Sequence, residues 1–470
     1  MSAVDHVSYN FLFLLAARVL QKGAPLILLP IYMQFLTPAQ FGTYGLAVLL
    51  ISSIGAFVNN FGSVPYGRFY VAENQSDRPA LISSFLSIAS TLYLLSACSV
   101  IIAASLAKDQ LAHYGANLEL LAWLVLAVLP VLVHSLLDAH CRITGRVKLM
   151  LAAELAWTTG MVGSGLYAVV HLKLELHGAI QALAIGPMGI LIFAIYAVFT
   201  EGINWPRTDL LKAIVRFSWP LLPSAILVIC RDAIPRAGSA SWISLEFAGL
   251  VAVAGMIASV PGVVVSAYYA SFGSSLLHKF QDQKFNDTHT EYHFIQGIYI
   301  CILASLTTAF LAGPLIHEFA PTEYHGAAAL VPWFAFAMSC RFFWLARSIL
   351  IMHSGRSHFI PLINFAGLVA VIAFFYGVIV TGMHDFVGGA LLAGFVVIFL
   401  IAGYCIRDYA FKIPMVSYAI FAFAIVVFLL STWLGSVNSL SNLGIQAALL
   451  TTFIFAGGYV VLKHKRALQA

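Results

Sequence analysis

Charge is what this chain has least of. Only 9% of its 470 residues are Asp, Glu, Lys or Arg, against about 25% in soluble globular domains. With 61% hydrophobic residues, that scarcity excludes a soluble or a disordered chain and places the sequence among polytopic membrane proteins. The net charge of +5 is small and says little about partners; no nucleic acid is expected among them. Paired cysteines are also missing. Cys98, Cys141, Cys230, Cys301, Cys340 and Cys405 are scattered through apolar segments, so neither a disulfide framework nor a metal site is expected. No GxxxxGK[ST] stretch occurs, which excludes P-loop ATP hydrolysis as the drive. The opening "MSAVDHVSYN" lacks a basic n-region and a small-residue cleavage site, so the first helix itself is expected to direct insertion.

What is present is a series of apolar windows. They predict an all-α polytopic membrane protein with fourteen spans, at 11–34, 42–61, 80–106, 118–139, 150–171, 178–200, 213–234, 246–273, 293–313, 326–351, 358–380, 386–406, 413–433 and 442–462. The connecting loops are short, the longest lying around Ala107–Asn117 and Leu277–Tyr292. None holds an enzyme domain, so a transporter is expected rather than an enzyme.

Lys and Arg set the orientation. With the N-terminus inside, alternate loops and the C-terminal tail hold 17 of the 24 cations and the opposite loops hold only Lys108, Lys173 and Arg236. The remaining four, Arg18, Lys22, Arg231 and Arg341, fall within spans. The bias predicts both termini in the cytoplasm and an even number of spans.

An internal repeat divides the chain. "QFGTYGLAVLLISSIGAF" at Gln40 is matched by "EFAGLVAVAGMIASVPGV" at Glu246, and Gly145-Arg146 by Gly355-Arg356, both at an offset of about 210 residues. The first span, with Pro25 and Pro30, has a counterpart in "SWPLLPSAIL" with Pro220 and Pro223. The predicted domains are a six-helix bundle at 1–206, a second at 207–410 related by a pseudo-two-fold axis, and two extra helices with a short tail at 411–470. Transporters often place substrate at such a repeat interface.

The stretches "LPIYMQFLTPAQFGTYGL", "NNFGSVPYGRFY", "FSWPLLPSAIL" and "HEFAPTEYHGAAALVPWFAFA", in this order, resemble the polysaccharide-export branch of the MOP superfamily, the Wzx-type O-antigen and exopolysaccharide flippases. The likeness runs over nearly the whole chain. It departs at "EFAGLVAV", which lacks the tyrosine usual after its glycine, and at the charged "ICRDAIPRAGSASW". The resemblance implies two six-helix bundles around a central cavity in the bacterial inner membrane. It implies translocation of undecaprenyl-diphosphate-linked oligosaccharide by alternating access. The polymerase and chain-length regulator of the same pathway are the partner proteins it suggests, beside membrane lipids.

Charges inside a membrane span are costly and mark functional candidates. Arg18 and Lys22 are four residues apart and share one helix face. Counted from Phe11, they lie about 10 Å and about 16 Å deep at 1.5 Å per residue. Two readings stand for the pair: a cationic cavity for a diphosphate, which Arg matches bidentately, or snorkelling and structural ion pairing. Gly23, Pro25 and Pro30 would let this helix bend. Arg231 and Arg341 are the candidates of the second half. Arg231 precedes Asp232, so an internal ion pair competes with a cavity role, and Arg341 has a bridge to an acid on a neighbouring helix as its alternative. Arg68, flanked by Tyr66, Phe69 and Tyr70, is either a headgroup receiver or an interface anchor. Arg347 reads as a positive-inside anchor and Arg146 as a topology determinant. Among acids, Asp138, Glu154 and Asp232 are candidates for H+ or Na+ coupling, with partnership to Arg142 or Arg18 as the structural alternative; other span-end acids such as Glu201 read as solvated. "GMVGSG" at Gly160 reads as helix packing. No organic cofactor is implied.

Three alternatives compete with the flippase. A peptidoglycan-precursor flippase or a drug/cation antiporter of the same superfamily would share the fold, but an antiporter for organic cations needs buried acids where the first span carries cations. A membrane polysaccharide polymerase or ligase needs a large outward loop, and none is present.

Overall fold

The computed structural model describes residues 3–106, 117–268, 288–353, 356, 358–405, 415–435, 450–455, 457–459 and 461. Among these the chain is helical throughout, with no strand. Each predicted span falls, over its described residues, on a helix. Among the described residues nine helical stretches are long and apolar enough to cross a bilayer, from Pro38–Asn59 to Phe359–Thr381, and shorter apolar helices follow at Gly389–Cys405, Val416–Phe428 and Leu450–Tyr459. Of the cations used for orientation, Lys108, Lys279, Lys284, Arg407, Lys412 and those of the tail lie outside the described residues.

Helix ends follow local chemistry. α1 (Ala3–Phe35) stops two residues before Thr37, which caps α2 (Pro38–Asn59). The Thr37 hydroxyl accepts from the Gln40 amide and the Gln40 side chain accepts from the Thr37 amide, a reciprocal capping box with Pro38 fixing the first turn. After the short α3 (Ser63–Ala72) and α4 (Arg78–Leu106), α5 (Leu118–Thr144) starts on the Asn117 cap and ends at Gly145, whose φ of 70° is left-handed. That turn sends Arg146 straight into α6 (Val147–Gly165). α7 (Glu175–Ile185) and α8 (Ile190–Glu201) are joined by a 3-10 turn at Gly186–Gly189. A Cβ on Gly160 of α6 would collide with the Gly186 carbonyl and one on Gly165 with Tyr32 and Leu28, so these two glycines of "GMVGSG" serve close helix packing, as read from the sequence, while Gly163 faces open space.

The two proline-bearing spans differ. α1 continues unbroken through Pro25 and Pro30. The seventh span breaks into α9 (Thr208–Ser218), a 3-10 turn at Trp219–Leu221, α10 (Leu222–Ala233), a π turn at Ile234–Gly238 and α11 (Ser239–Trp242). Proline removes a backbone donor. Pro220 and Pro223 remove two within one turn, and Pro235 a third, whereas Pro25 and Pro30 are more than a turn apart and the bonds between them hold the helix.

The chain divides into two compact units, Leu12–Gly249 and Leu250–Ala470 with Met1–Phe11. In the first, Phe61, Tyr66, Tyr70, Leu81, Phe85 and Ile214 form one cluster, and Leu137, Cys141, Met150, Trp157 and Ile190 another. The second unit includes α12 (Leu245–Ile257) beyond Gly249, α13 (Thr288–Phe319), α14 (Ala327–His353), α15 (Phe359–Thr381), α16 (Gly389–Cys405) and α17 (Met415–Gly435). Aromatic rings dominate it: Phe336 stacks on Phe428 at 4.7 Å and Phe343 meets Phe399 and Phe421 at 5.2 Å and 5.1 Å.

Candidate functional site

The polar centre of the first unit is built on α5. This helix is apolar except near its end, where His134, Asp138 and Arg142 repeat at a spacing of four and so share one face. His134 and Asp138 are buried. The His134 Nε2 lies 2.6 Å from the Glu154 carboxylate, and its ring packs 5.1 Å from that of Trp157. Glu154, on α6, is only 1% exposed, and its Oε2 has no hydrogen-bond partner among the described residues. Asp138 pairs with Arg142 one turn on, at 3.1 Å. One turn past Glu154, the Thr158 hydroxyl donates to the Leu20 carbonyl at 2.8 Å. That bond fastens α6 to the stretch of α1 between Arg18 and Lys22.

A second polar group closes the cation-rich end of the unit. Arg146 donates to the Glu201 carboxylate at 2.9 Å and to the Thr200 hydroxyl. The Tyr70 phenol donates to the other Glu201 oxygen at 3.2 Å, and His140 lies 3.7 Å from the carboxylate. Tyr66 and His140 share a hydrogen bond of 3.0 Å. Partial burial, and after it the Glu201 carboxylate, raise the Tyr70 phenol above its ordinary value, which keeps it a donor. Beside this network lies a cavity of about 400 Å³ lined by Tyr70, Arg78, Thr144, Arg146 and Glu201.

The remaining sequence candidates are dispersed. Arg18 lies in α1 with its side chain outside the described residues, and Lys22 is exposed on the same helix. Arg68 is exposed, its guanidinium 4.8 Å from the centre of the Phe217 ring. Arg231 is 3% exposed and pairs with its neighbour Asp232 at 2.9 Å. Arg341 is half-buried on α14. The structure therefore brings Asp138 and Glu154 to adjacent helices of one core, and joins Asp232 to Arg231.

Three readings need correction. Glu201 is engaged by Arg146 and Tyr70 rather than left to solvent, because the short α5–α6 turn swings Arg146 back toward the end of α8. Arg146 is accordingly a bridging residue as well as a loop cation. Arg347 does not reach an interface: it is 6% exposed, donates to the Phe399 carbonyl and the Tyr418 hydroxyl, and lies over the Phe399 ring at 3.8 Å. Sequence reasoning missed the His134 partner of Glu154. The signal for it was the spacing of His134, Asp138 and Arg142 on a helix with few other polar residues.

No protein-family model matches the chain, and no curated protein matches it. Solved structures do, and those similar to it include MATE transporters of the MOP superfamily and a lipid II flippase. An inward-facing multidrug resistance MATE transporter of that superfamily is similar to this chain with a TM-score of 0.61 at 14% identity, over 83% of this chain and 95% of its own. A MOP superfamily transporter from Pyrococcus furiosus, described by the reverse polarity of its binding pocket, aligns with a TM-score of 0.55 at 15% identity, over 85% and 95%. The lipid II flippase MurJ, in an inward closed conformation, is similar with a TM-score of 0.68 at 12% identity, over 97% of this chain and 98% of its own. At such identities the likeness is one of fold. The chain has the all-helical polytopic fold of these proteins, and it is a membrane protein.

Proposed function

We propose that this protein is a flippase that carries undecaprenyl-diphosphate-linked oligosaccharide, the repeat unit of an O-antigen or exopolysaccharide, across the bacterial cytoplasmic membrane by alternating access. One observation carries the reading: a chain with the fold of a lipid II flippase bears two cations, Arg18 and Lys22, four residues apart within its first span. A diphosphate entering a low-dielectric lumen needs compensating positive charge. Arg231 and Arg341 would extend the cationic lining into the later spans, and Arg68 would receive the headgroup at the cytoplasmic end. The lipid tail would stay in the bilayer while the sugars occupy the lumen. Both termini would lie in the cytoplasm.

Drive would come from H+ or Na+. Glu154 is the leading candidate for the coupling group, since a buried carboxylate with one oxygen unsatisfied among the described residues has capacity for a proton or a cation. The Thr158–Leu20 bond ties its helix to the α1 segment that holds the cargo cations. Asp138 and Asp232 are the lesser candidates, each already paired with arginine. The pathway's polymerase and chain-length regulator are the expected protein partners.

The test is genetic complementation. The Arg18→Ala and Lys22→Ala double variant should insert at normal levels yet leave the cell without surface polysaccharide. Normal polymer from a well-expressed double variant would remove the pair from the mechanism. The MATE-like fold supports a second reading, an organic-cation antiporter with Glu154 as its acid. That reading predicts loss of drug resistance from Glu154→Gln with polymer output unchanged.

A further inference from the structure

The cavity beside Arg146 has a neighbour of opposite character. A second cavity, of about 310 Å³, is lined almost wholly by apolar side chains, among them Ile82, Leu86, Leu136, Ala194 and Phe199. Four helices contribute to both cavities, each through residues four apart. Tyr70, Arg78, Thr144 and Glu201 face the polar cavity, and Tyr66, Ile82, His140 and Ala197 face the apolar one. Residues four apart on a helix are stacked one turn apart along its axis. The polar cavity therefore sits one turn nearer the cation-rich end, with the apolar slot directly deeper in the bundle. The margins of both are open: Val71 is 75% exposed beside the first, and Phe199 is 71% exposed beside the second.

The charge in the polar cavity is uneven. Two guanidiniums face one carboxylate. Glu201 is already bonded by Arg146 and Tyr70. Arg78 has no acid on it among the described residues; it lies 4.5 Å from the centre of the Tyr70 ring, and its buried Nε makes no hydrogen bond there. An arginine so placed has its forked donors available to an anion. A phosphate above a hydrocarbon-lined slot is the shape of a membrane lipid, and the cation-rich end is where an anionic leaflet would meet it.

We infer that the first unit carries a binding site for an anionic glycerophospholipid, with its phosphate on Arg78 and Arg146 and one acyl chain in the slot between Leu86, Leu136 and Phe199. The site is separate from the proposed cargo cations of α1, so it does not rest on the transport reading. A lipid held there would pin the ends of α4, α5 and α8 together.

The experiment is lipid capture by the full-length protein in detergent, read by native mass spectrometry. The probes are phosphatidylglycerol, phosphatidylcholine with the same chains, a polyprenyl phosphate and glycerol 1-phosphate. Phosphatidylglycerol should bind about tenfold tighter than phosphatidylcholine. Arg78→Gln should remove most of that preference, and Arg78→Lys should retain it. Ala194→Phe, which fills the slot, should weaken both phospholipids and leave the arginines in place. The Arg18→Ala and Lys22→Ala double variant should bind the two phospholipids as the wild type does. Equal binding of the two phospholipids would overturn the assignment, as would binding unaffected by both Arg78→Gln and Ala194→Phe. Competition by glycerol 1-phosphate as strong as by the lipid would reassign the cavity to a free phosphate ester. Tighter capture of polyprenyl phosphate than of phosphatidylglycerol by the Arg18→Ala and Lys22→Ala double variant, lost on adding Arg78→Gln, would reassign it to an isoprenoid lipid.

Discussion

The two units accommodate their buried charges in different ways. In Leu12–Gly249, carboxylates meet nitrogen donors: Glu154 meets His134, Asp138 meets Arg142, and Glu201 meets Arg146. In the second unit, Arg347 is satisfied by a backbone carbonyl, a phenol and an aromatic face. The difference lies in what is left behind when one partner goes. Removing one member of a buried ion pair strands the other in a low dielectric. Removing Arg347 strands only neutral groups, and the Phe399 carbonyl belongs to a helix in any case. Contacts between a carboxylate and a basic group respond to a proton or a cation; the carbonyl and ring contacts of Arg347 do not.

Five substitutions test that contrast by thermal unfolding in detergent. The largest effect should come from Glu154→Leu, which leaves the buried His134 without its hydrogen-bond partner at a cost of about 3 kcal/mol; Glu154→Gln, able to keep a hydrogen bond, should lose less. Gly403→Ala comes next. A Cβ there would lie 2.7 Å from the Arg347 guanidinium, and the crowding should cost about 2 kcal/mol. Arg347→Met should cost only about 1 kcal/mol, because no acid is left unpaired. A loss from Arg347→Met as large as that from Glu154→Leu would break the comparison. The smallest effect, about 1 kcal/mol or a little less, belongs to Gly145→Ala, whose left-handed φ of 70° disfavours a side chain. If Gly145→Ala also lowers lipid capture at Arg78, the turn that aims Arg146 shapes the polar cavity.

The helices were legible in the sequence because a bilayer leaves few alternatives to an apolar run of about 20 residues. Boundaries were less legible: spans set at 11–34 and 42–61 leave out the Thr37-Pro38 cap, and a span ending at 139 stops short of the Gly145 turn, because capping is read from a few polar residues and the spans were read from hydropathy. The interruption of the seventh span was half legible. Proline pairs mark it and the first span alike, and only the spacing of Pro220 and Pro223 distinguishes the broken helix from the continuous one. The candidate site was less legible. Arg142 and Asp138 are one turn apart, so their pairing follows from helical geometry. Arg146 and Glu201, or Arg347 and Phe399, are more than fifty residues apart, and nothing local to either arginine names its partner. A loop cation read alone looks like a topology signal. Its second role is decided by the helix that returns beside it.

The central claim is that cations in the first span compensate the phosphates of a sugar-carrying lipid. Purified protein in proteoliposomes, given a fluorescent undecaprenyl-diphosphate oligosaccharide on one face, measures this directly through the cargo appearing on the other. Flipping by the wild type that is lost in the Arg18→Ala and Lys22→Ala double variant, and restored in part by Arg18→Lys with Lys22 intact, is the predicted result. Flipping at the wild-type rate by the double variant, or no flipping by wild-type protein that instead exchanges organic cations, would contradict it.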